Sequence, residues 1–337
     1  MNRLSFLSLV ICLILTACRN KDPQKIEKVI SLEFDSIFAP EQKFNFNPSK
    51  YWGFSLRDTS YYKSIDACIG TNNIDNLFII SAEIMPNSSS YWDINHKIYV
   101  FDTNSNVKYK ISSFPPFAPT DIVGFSNNEF AISDASETPE IYILSESKEY
   151  IIGKGLIKSI QNEFNGFVNK LSNNPNSDLL FQYDSWDYIN GIVTQVGNHV
   201  GIIKNNVFSK IDFPVKEKIS AITFDSKNNI WVVNYSNSKI TVFNAKGEEI
   251  KSFENKFGLR EPFSICSNFK DLIFISDTGN NRIVVINEEG ELVTTFGIAG
   301  KGNGQFNVPI DICFLKNKIY VVDKKNNRIQ VLKLIEK

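Results

Sequence analysis

The sequence predicts an all-β fold built from a repeated unit of about 45 residues. The first observation is a near-duplication: residues 276–287 read SDTGNNRIVVIN and residues 322–332 read VDKKNNRIQVL. The second is that Asn-rich turns separate short apolar runs in a chain with 27 phenylalanines, which is typical of strands with tight connections. A period in the forties indicates a radial or solenoid architecture. The 337 residues are enough for one large closed β domain.

The first 17 residues predict a signal peptide. Arg3 precedes an apolar run from Leu4 to Leu15, which is too short to span a bilayer and ends in Leu-Thr-Ala-Cys. This segment resembles a bacterial lipoprotein signal, which implies cleavage before Cys18 and lipidation of that cysteine. The alternatives are a short uncleaved anchor and a plain secretory signal. In either case we expect the mature protein outside the cytoplasm, and Arg19 in place of Asp favours a lipid anchor in the outer membrane, on its periplasmic or surface face.

The charge pattern argues against a nucleic-acid partner. The 36 basic and 37 acidic residues leave a formal net charge of −1, without a run of like charge. Nucleic acid and anionic membrane surfaces attract proteins through a concentrated basic field, which this sequence lacks. We expect a monomer that contacts the membrane through its lipid anchor alone.

The repeat corresponds to a unit of four strands. An inner strand comes first, as in residues 262–266, 309–313 and, much earlier, 64–68. A second, a third and a fourth strand follow, as in residues 272–277, 282–287 and 291–296. Five units are recognisable from residues 64, 119, 219, 262 and 309, and the region 155–218 has room for a degenerate sixth.

The C-terminal units resemble the NHL family. The residues that carry the resemblance are Phe296-Gly297, the stretch GKGNGQFNVP at 300–309, and Asp323 followed by NNRI at 326–329. The resemblance is specific over residues 256–334 and implies a six-bladed β-propeller over residues 26–337, tethered through residues 18–25. It is similar to the propeller lipoproteins common in Bacteroidetes. A phosphate-binding loop is excluded at Gly297–Gly304 because Gly302 stands where Ser or Thr is required.

The N-terminal segment is predicted to close the ring. The last unit ends after its third strand, so its edge would remain unpaired. Residues 26–34 alternate apolar and polar side chains as a half-buried strand does. We therefore assign them as the outer strand of the last blade.

Few residues suggest catalysis or metal binding. His96 and His199 lie in different units, and neither has metal-ligand spacing. Cys68, Cys266 and Cys313 occupy the same place in inner strands, where a metal site is the alternative to small buried side chains near the hub. The recurring Asp…Asn-Asn-Arg sets, such as Asp277 with Arg282 and Asp323 with Arg328, are predicted to stabilise tight turns. The sequence predicts no cofactor, no metal and no catalytic residue.

Two connections depart from the repeat and carry aromatic pairs. Tyr51-Trp52 lies between the closing strand and the first inner strand, and Tyr91-Trp92 lies in a long turn at 82–96. In a propeller both kinds of connection emerge on one face, where recognition loops commonly lie. We predict these four aromatics as ligand-binding residues that stack on sugar rings or peptide side chains. The alternative is that they pack the loops against the blades.

A further departure is an apolar stripe at helical spacing in residues 155–172, formed by Leu156, Ile160, Phe164, Phe167 and Leu171. It predicts a short amphipathic helix that caps the irregular unit, or a mobile lid.

Two classes of function fit these features. The first is a lipid-anchored binding or scaffold module that recognises a glycan, a peptide or an envelope protein through its face loops. The second is a propeller hydrolase or lyase that uses carboxylates near the central channel, such as Asp66, Asp121 and Asp311. We favour the first, because the sequence has no recognisable nucleophile, metal cage or catalytic histidine.

Overall fold

A computed structural model describes residues 30–37, 68–70, 76–84, 94–102, 107–111, 119–126, 129–134, 140–145, 150–152, 166–189, 192–204, 207–211 and 219–336. Within these ranges the chain forms six four-stranded antiparallel sheets and one two-stranded parallel sheet. No helix in the same ranges has the length and hydropathy of a membrane span.

The strands of the first half are β1 (Ile30–Ile37), β2 (Cys68–Gly70), β3 (Asn76–Ile84), β4 (Ile94–Asp102), β5 (Val107–Ile111), β6 (Pro119–Ser126), β7 (Glu129–Asp134), β8 (Glu140–Ser145), β9 (Tyr150–Ile152), β10 (Gly166–Asn173), β11 (Leu179–Ile189), β12 (Ile192–Lys204) and β13 (Val207–Ile211).

The strands of the second half are β14 (Ile219–Phe224), β15 (Ile230–Asn234), β16 (Lys239–Phe243), β17 (Glu249–Phe253), β18 (Pro262–Ser267), β19 (Leu272–Asp277), β20 (Arg282–Asn287), β21 (Leu292–Phe296), β22 (Ile298–Ala299), β23 (Gln305–Phe306), β24 (Pro309–Leu315), β25 (Lys318–Asp323) and β26 (Arg328–Glu336). Short 3-10 helices follow β19 and β25, at Thr278–Asn280 and Lys324–Asn326.

The sheets are arranged as a β-propeller. Sheets 1 to 5 each contain four consecutive strands: β2–β5, β6–β9, β10–β13, β14–β17 and β18–β21. Sheet 6 contains β24, β25, β26 and β1. The first strands contact one another in a closed cycle, β2 with β6, β6 with β10, β10 with β14, β14 with β18, β18 with β24, and β24 with β2. These strands therefore surround a central channel.

The N-terminal strand completes sheet 6, as the sequence predicts. Strand β1 pairs antiparallel with β26, with Leu32 opposite Leu334. Leu32 is buried in the cluster that also contains Phe306 and Leu332, whereas the neighbouring Glu33 is exposed. The strand starts at Ile30, and residues 26–29 lie outside the described part of the chain.

The core lies between neighbouring sheets. Sheets 4 and 5 pack through a cluster that includes Trp231 and Ile275, and sheets 5 and 6 through one that includes Phe274 and Val321. All four of these side chains are fully buried. Second strands such as β19 are buried along their whole length because both of their faces meet a neighbouring sheet.

The Asp…Asn-Asn-Arg sets stabilise turns, as predicted. The Oδ2 of fully buried Asp277 accepts hydrogen bonds from Arg282 Nε at 2.6 Å and Asn280 Nδ2 at 2.8 Å. Asn281 has a φ of 53°, in the left-handed region that asparagine tolerates. Asp323 and Arg328 repeat this arrangement one sheet later.

The predicted helix at 155–172 is wrong over the described part. Residues 166–173 form β10, the inner strand of sheet 3, and residues 153–165 are not described. Val168 and Leu171 pack in one apolar cluster because a register shift between Val168 and Lys170 turns both into the sheet interface. The irregular unit forms sheet 3 over residues 166–211. Its third strand, β12, is continuous from Ile192 to Lys204 and includes Gly197.

Candidate functional site

Two kinds of connection emerge on the same face of the propeller, as the sequence predicts. The first joins the second and third strands of a sheet, and the second leads from one sheet to the inner strand of the next. In sheet 5 they bond to each other: Arg260 N donates to Asp277 Oδ1 at 2.7 Å, and Gly279 N donates to Arg260 O at 2.8 Å. Asn307 N and Asp323 Oδ1 form the equivalent bond in sheet 6. We call this side of the molecule the loop face.

The loop face carries a cleft between sheets 4, 5 and 6. Its volume is about 330 Å³. The lining residues are Tyr235, Arg260, Glu261, Phe263, Thr278, Gly279, Asn281, Val308, Ile310 and Lys324. We call it the face cleft.

The face cleft is built from equivalent positions of neighbouring repeats. Tyr235, Thr278 and Lys324 are each the first residue after a second strand. Phe263 and Ile310 are the residues at the register shift near the start of their inner strands. The fold therefore brings the same positions together from several sheets, while the side-chain types at those positions set the chemistry.

Two aromatic rings form one wall of the face cleft. Tyr235 and Phe263 meet edge to face, with ring centroids 6.0 Å apart, an arrangement that aromatic pairs prefer. Both side chains are half-buried. Burial and, secondarily, the Glu261 carboxylate raise the pKa of the Tyr235 phenol, so the hydroxyl stays protonated at neutral pH. The wall thus offers apolar ring surface together with a hydroxyl.

Phe263 also connects the face cleft to the central channel. Lys170 Nζ lies 5.8 Å from the centroid of the Phe263 ring, within the range of a cation–π contact. Lys170 extends from the inner strand of sheet 3 and is buried.

Two rings of side chains line the channel, and each ring comes from one register position of the inner strands. In five of the six inner strands, the residue after the register shift lines the channel: Asp121, Lys170, Ala221, Ser264 and Asp311. A second ring two residues further along contains Val123, Ser172, Thr223, Cys266 and Cys313. The cavity between them has a volume of about 70 Å³, which is room for a few water molecules.

The channel carboxylates are engaged in hydrogen bonds between and within sheets. Asp121 accepts from Leu171 N of the next sheet and from Ile122 N, both at 2.9 Å. Asp311 accepts from Ser264 Oγ of the preceding sheet at 2.7 Å and from Ile312 N at 3.0 Å. Both carboxylates therefore hold neighbouring inner strands together.

Asp121 has an unusual pKa. The pKa of this carboxyl is raised from 3.8 to about 7, and burial is the main cause. The nearby Asp311 adds to the rise, whereas the Lys170 ammonium opposes it. The prediction that Asp121 and Asp311 lie at the channel is confirmed, and Asp66 lies outside the described residues.

The two described channel cysteines are free thiols. Burial, with smaller contributions from Cys313 and Asp311, raises the pKa of the Cys266 thiol well above its ordinary value, so it remains protonated and unreactive. This fits the predicted packing role near the hub. Among the described residues, no group of three or more His, Cys, Asp or Glu side chains is placed to hold a metal ion.

His199 lies away from both sites. It is on β12, the third strand of sheet 3, and its ring stacks on Tyr183 with centroids 5.0 Å apart. The two histidines lie in different sheets, as predicted, because His96 is on β4 of sheet 1, and nothing is described of the His96 side chain.

The predicted site residues Tyr51, Trp52, Tyr91, Trp92 and Cys18 all lie outside the described residues. Sequence reasoning missed the face-cleft residues because it looked for long insertions. The signal that was available is a departure within the repeat: Arg260 and Glu261 occupy the positions that Asn307 and Val308 occupy one unit later. A charged pair replaces a neutral pair there.

Comparisons with known proteins agree with the fold. An NHL repeat model matches residues 306–332. The chain is similar to virginiamycin B lyase from Staphylococcus aureus, with 12% identity, a TM-score of 0.55, and coverage of 92% of this chain and 100% of that one. It is also similar to the calcium-binding protein regucalcin from Agrobacterium tumefaciens, at 7% identity and a TM-score of 0.57, covering 89% and 93%.

A protein of unknown function from Bacteroides thetaiotaomicron has a TM-score of 0.59 at 12% identity, with coverage of 92% of this chain and 77% of that one. No curated protein sequence matches the chain. Structural similarity at these identities establishes a shared β-propeller fold, and fold alone does not transfer an activity.

Proposed function

We propose that this protein is a binding module of the cell envelope that holds a small polar ligand, such as part of a glycan or a peptide, in the face cleft. The observation that carries the proposal is the contrast between the two concave sites. The face cleft, at about 330 Å³, lies within the range of ligand pockets, about 300–1,000 Å³. The channel cavity is several times smaller.

The chemistry of the two sites supports the same choice. The channel carboxylates bond to neighbouring strands, so a ligand would have to compete with the bonds that hold the ring together. The face cleft combines an aromatic wall with polar side chains, and pockets that bind small molecules pair apolar surface with a few polar groups in this way.

We propose that Tyr51, Trp52, Tyr91 and Trp92 extend the binding surface. The connection that carries Tyr91 and Trp92 joins β3 to β4, and the corresponding connections of sheets 4, 5 and 6 line the face cleft. A glycan or peptide longer than one unit would then contact both parts of the loop face.

We further propose that the ring has six blades and that the protein is a monomeric outer-membrane lipoprotein of the Bacteroidetes type, anchored through Cys18. The closed cycle of contacts among six inner strands supports the blade number. The lipobox-like sequence at residues 15–18 supports the anchor.

A second candidate function is supported by one observation. The pKa of Asp121, raised to about 7, would let its carboxyl group act as a general acid or base at neutral pH. A hydrolase or lyase that uses Asp121 would lose turnover but keep ligand binding in Asp121→Asn, whereas a binding module would show no turnover in either protein. Product analysis on any bound ligand separates the two.

The binding proposal is tested with soluble protein beginning at residue 19. Thermal shift against glycan and peptide panels identifies ligands, because binding raises apparent stability by mass action. For each ligand, Phe263→Ala should weaken binding by about 1–3 kcal/mol, since it removes the aromatic wall. Leu292→Ala, on the exposed outer strand of sheet 5, is the control. Equal affinity of the Phe263→Ala and wild-type proteins would place the ligand elsewhere.

A further inference from the structure

The face cleft has an excess of positive charge. Arg260 and Lys324 line it together with one carboxylate, Glu261. Arg260 is exposed at the mouth, and within the described residues its guanidinium has neither a hydrogen-bond acceptor nor an ion-pair partner, since only its backbone groups are bonded. A guanidinium with free donors in a fixed fork is suited to bind a carboxylate with two hydrogen bonds.

The charges at residues 260 and 261 are not required by the turn. Backbone N–H groups of Arg260 and Asn307 make the same hydrogen bond to the aspartate of their sheet. Glu261 and Val308 share a positive φ, at 50° and 62°. Because neutral side chains support this conformation in sheet 6, the charged pair in sheet 5 is available for a ligand.

The stem of Arg260 is held in position by a glycine. A Cβ atom at Gly279 would lie 2.6 Å from Arg260 Cγ and 2.7 Å from Arg260 O. The absence of a side chain at Gly279 lets the arginine stem pack closely against the turn after β19. The base of the arginine side chain is therefore positioned at the rim of the face cleft.

We infer that the face cleft binds a compact ring carrying a single carboxylate, of the hexuronic acid class. This inference rests on the proposed binding function and names the ligand chemistry. Arg260 and Lys324 receive the carboxylate, and the Glu261 carboxylate accepts hydrogen bonds from ring hydroxyls. The C–H face of the sugar packs on Phe263 and Tyr235.

The size of the cleft agrees with this class. A volume of about 330 Å³ is near the lower limit of ligand pockets, about 300 Å³, so one sugar unit fits better than an extended segment. Within the described part of the chain, the Arg260 guanidinium and the Tyr235 hydroxyl have no hydrogen-bond acceptor. Such donors also match an acidic sugar, which is rich in acceptor oxygens.

The test is isothermal titration calorimetry of the soluble chain with D-glucuronate, D-galacturonate, D-glucose and L-phenylalanine. A hexuronate should bind about tenfold to a hundredfold more tightly than glucose, and Arg260→Gln should remove most of that difference, as expected for a charge-assisted hydrogen bond. Lys324→Gln should weaken binding less. Lys325→Gln, an exposed lysine in the same turn that does not line the cleft, is the matched control and should change nothing.

Three results would overturn the inference: absence of hexuronate binding, equal affinity for glucose and hexuronate, or hexuronate binding that Arg260→Gln leaves unchanged. Tighter binding of phenylalanine than of either hexuronate would reassign the cleft to an amino acid or peptide carboxylate. The binding function itself is judged by a separate result, namely whether Phe263→Ala weakens the binding of the ligands found in the panels. Melting temperatures of all variants establish that they fold.

Discussion

Single buried aspartates connect turns and inner strands of this propeller through hydrogen bonds. Asp277 and Asp323 each close the turn after a second strand and also accept a hydrogen bond from the connection that enters the inner strand of the same sheet. Asp121 and Asp311 join neighbouring inner strands at the channel. These side chains satisfy backbone and side-chain donors that would otherwise be buried without partners, which is costly.

At Asp323 this role predicts a large loss of stability. Its Oδ2 accepts from Arg328, Asn326 and Gln330, and its Oδ1 accepts from Asn307 N. Asp323→Ala should lower the free energy of unfolding by about 3–5 kcal/mol, because it leaves a partly buried guanidinium uncompensated. Chemical denaturation measures the change, with exposed Lys325→Ala as the control. A loss below about 1 kcal/mol would contradict the assigned role.

The pKa of Asp121 predicts a dependence of stability on pH. Since the pKa in the folded protein is about 7 and the ordinary value is 3.8, the folded state keeps a proton that the unfolded state releases. The stability from this group is therefore complete below about pH 4 and is lost as the pH rises to about 7. The charged groups that contribute are Lys170, which opposes the rise in pKa, and Asp311, which adds to it.

Melting temperatures between about pH 4 and pH 8 test this dependence. The wild-type protein should lose more stability over that range than Asp121→Asn does. Lys170→Met should move the loss to higher pH, because it removes the charge that favours the ionised carboxylate. If the melting temperatures of the wild-type protein and Asp121→Asn change in parallel with pH, Asp121 is already ionised in the folded state over this range.

At the scale of elements, the N-terminal strand holds the last sheet together. Leu32→Ala should cost about 2–5 kcal/mol, because it opens a cavity among Phe306, Leu332 and Leu334. Glu33→Ala, at the exposed position next to it, should be nearly neutral. Deletion of the whole strand β1, Ile30–Ile37, should destabilise the protein more than Leu32→Ala does. An unchanged unfolding midpoint for Leu32→Ala would mean that β1 contributes little to closure.

Sequence reasoning located the elements wherever the repeat preserved its turn. The second and third strands of sheet 5 were predicted with the bounds observed, because Asp277 and Arg282 mark the turn between them. It failed for residues 166–173, where Phe167 and Leu171, two members of the predicted helical stripe, belong to strand β10. It also missed the face cleft, because Tyr235 and Phe263 belong to two consecutive repeats and meet only when sheets 4 and 5 pack side by side.

At the scale of the whole molecule, six sheets surround a channel and carry the face cleft on their loop face. We predict that the N-terminal segment is a lipoprotein signal, which would place the protein in the cell envelope. Cys18→Ser should abolish labelling with radioactive palmitate and release the protein from the membrane fraction. A mutation of Cys68, which lies on strand β2 and outside the predicted lipobox at residues 15–18, should leave labelling intact. Continued labelling of Cys18→Ser would disprove the lipid anchor.

The central claim is that ligand binds on the loop face between sheets 4, 5 and 6. Hydrogen–deuterium exchange of the soluble chain, with and without a saturating ligand from the panels, tests it directly. We predict slower exchange in residues 257–263 and 278–281, which contribute Arg260, Phe263 and Asn281 to the cleft. Protection confined to the channel strands or to the outer strands, with these two segments unchanged, would contradict the account.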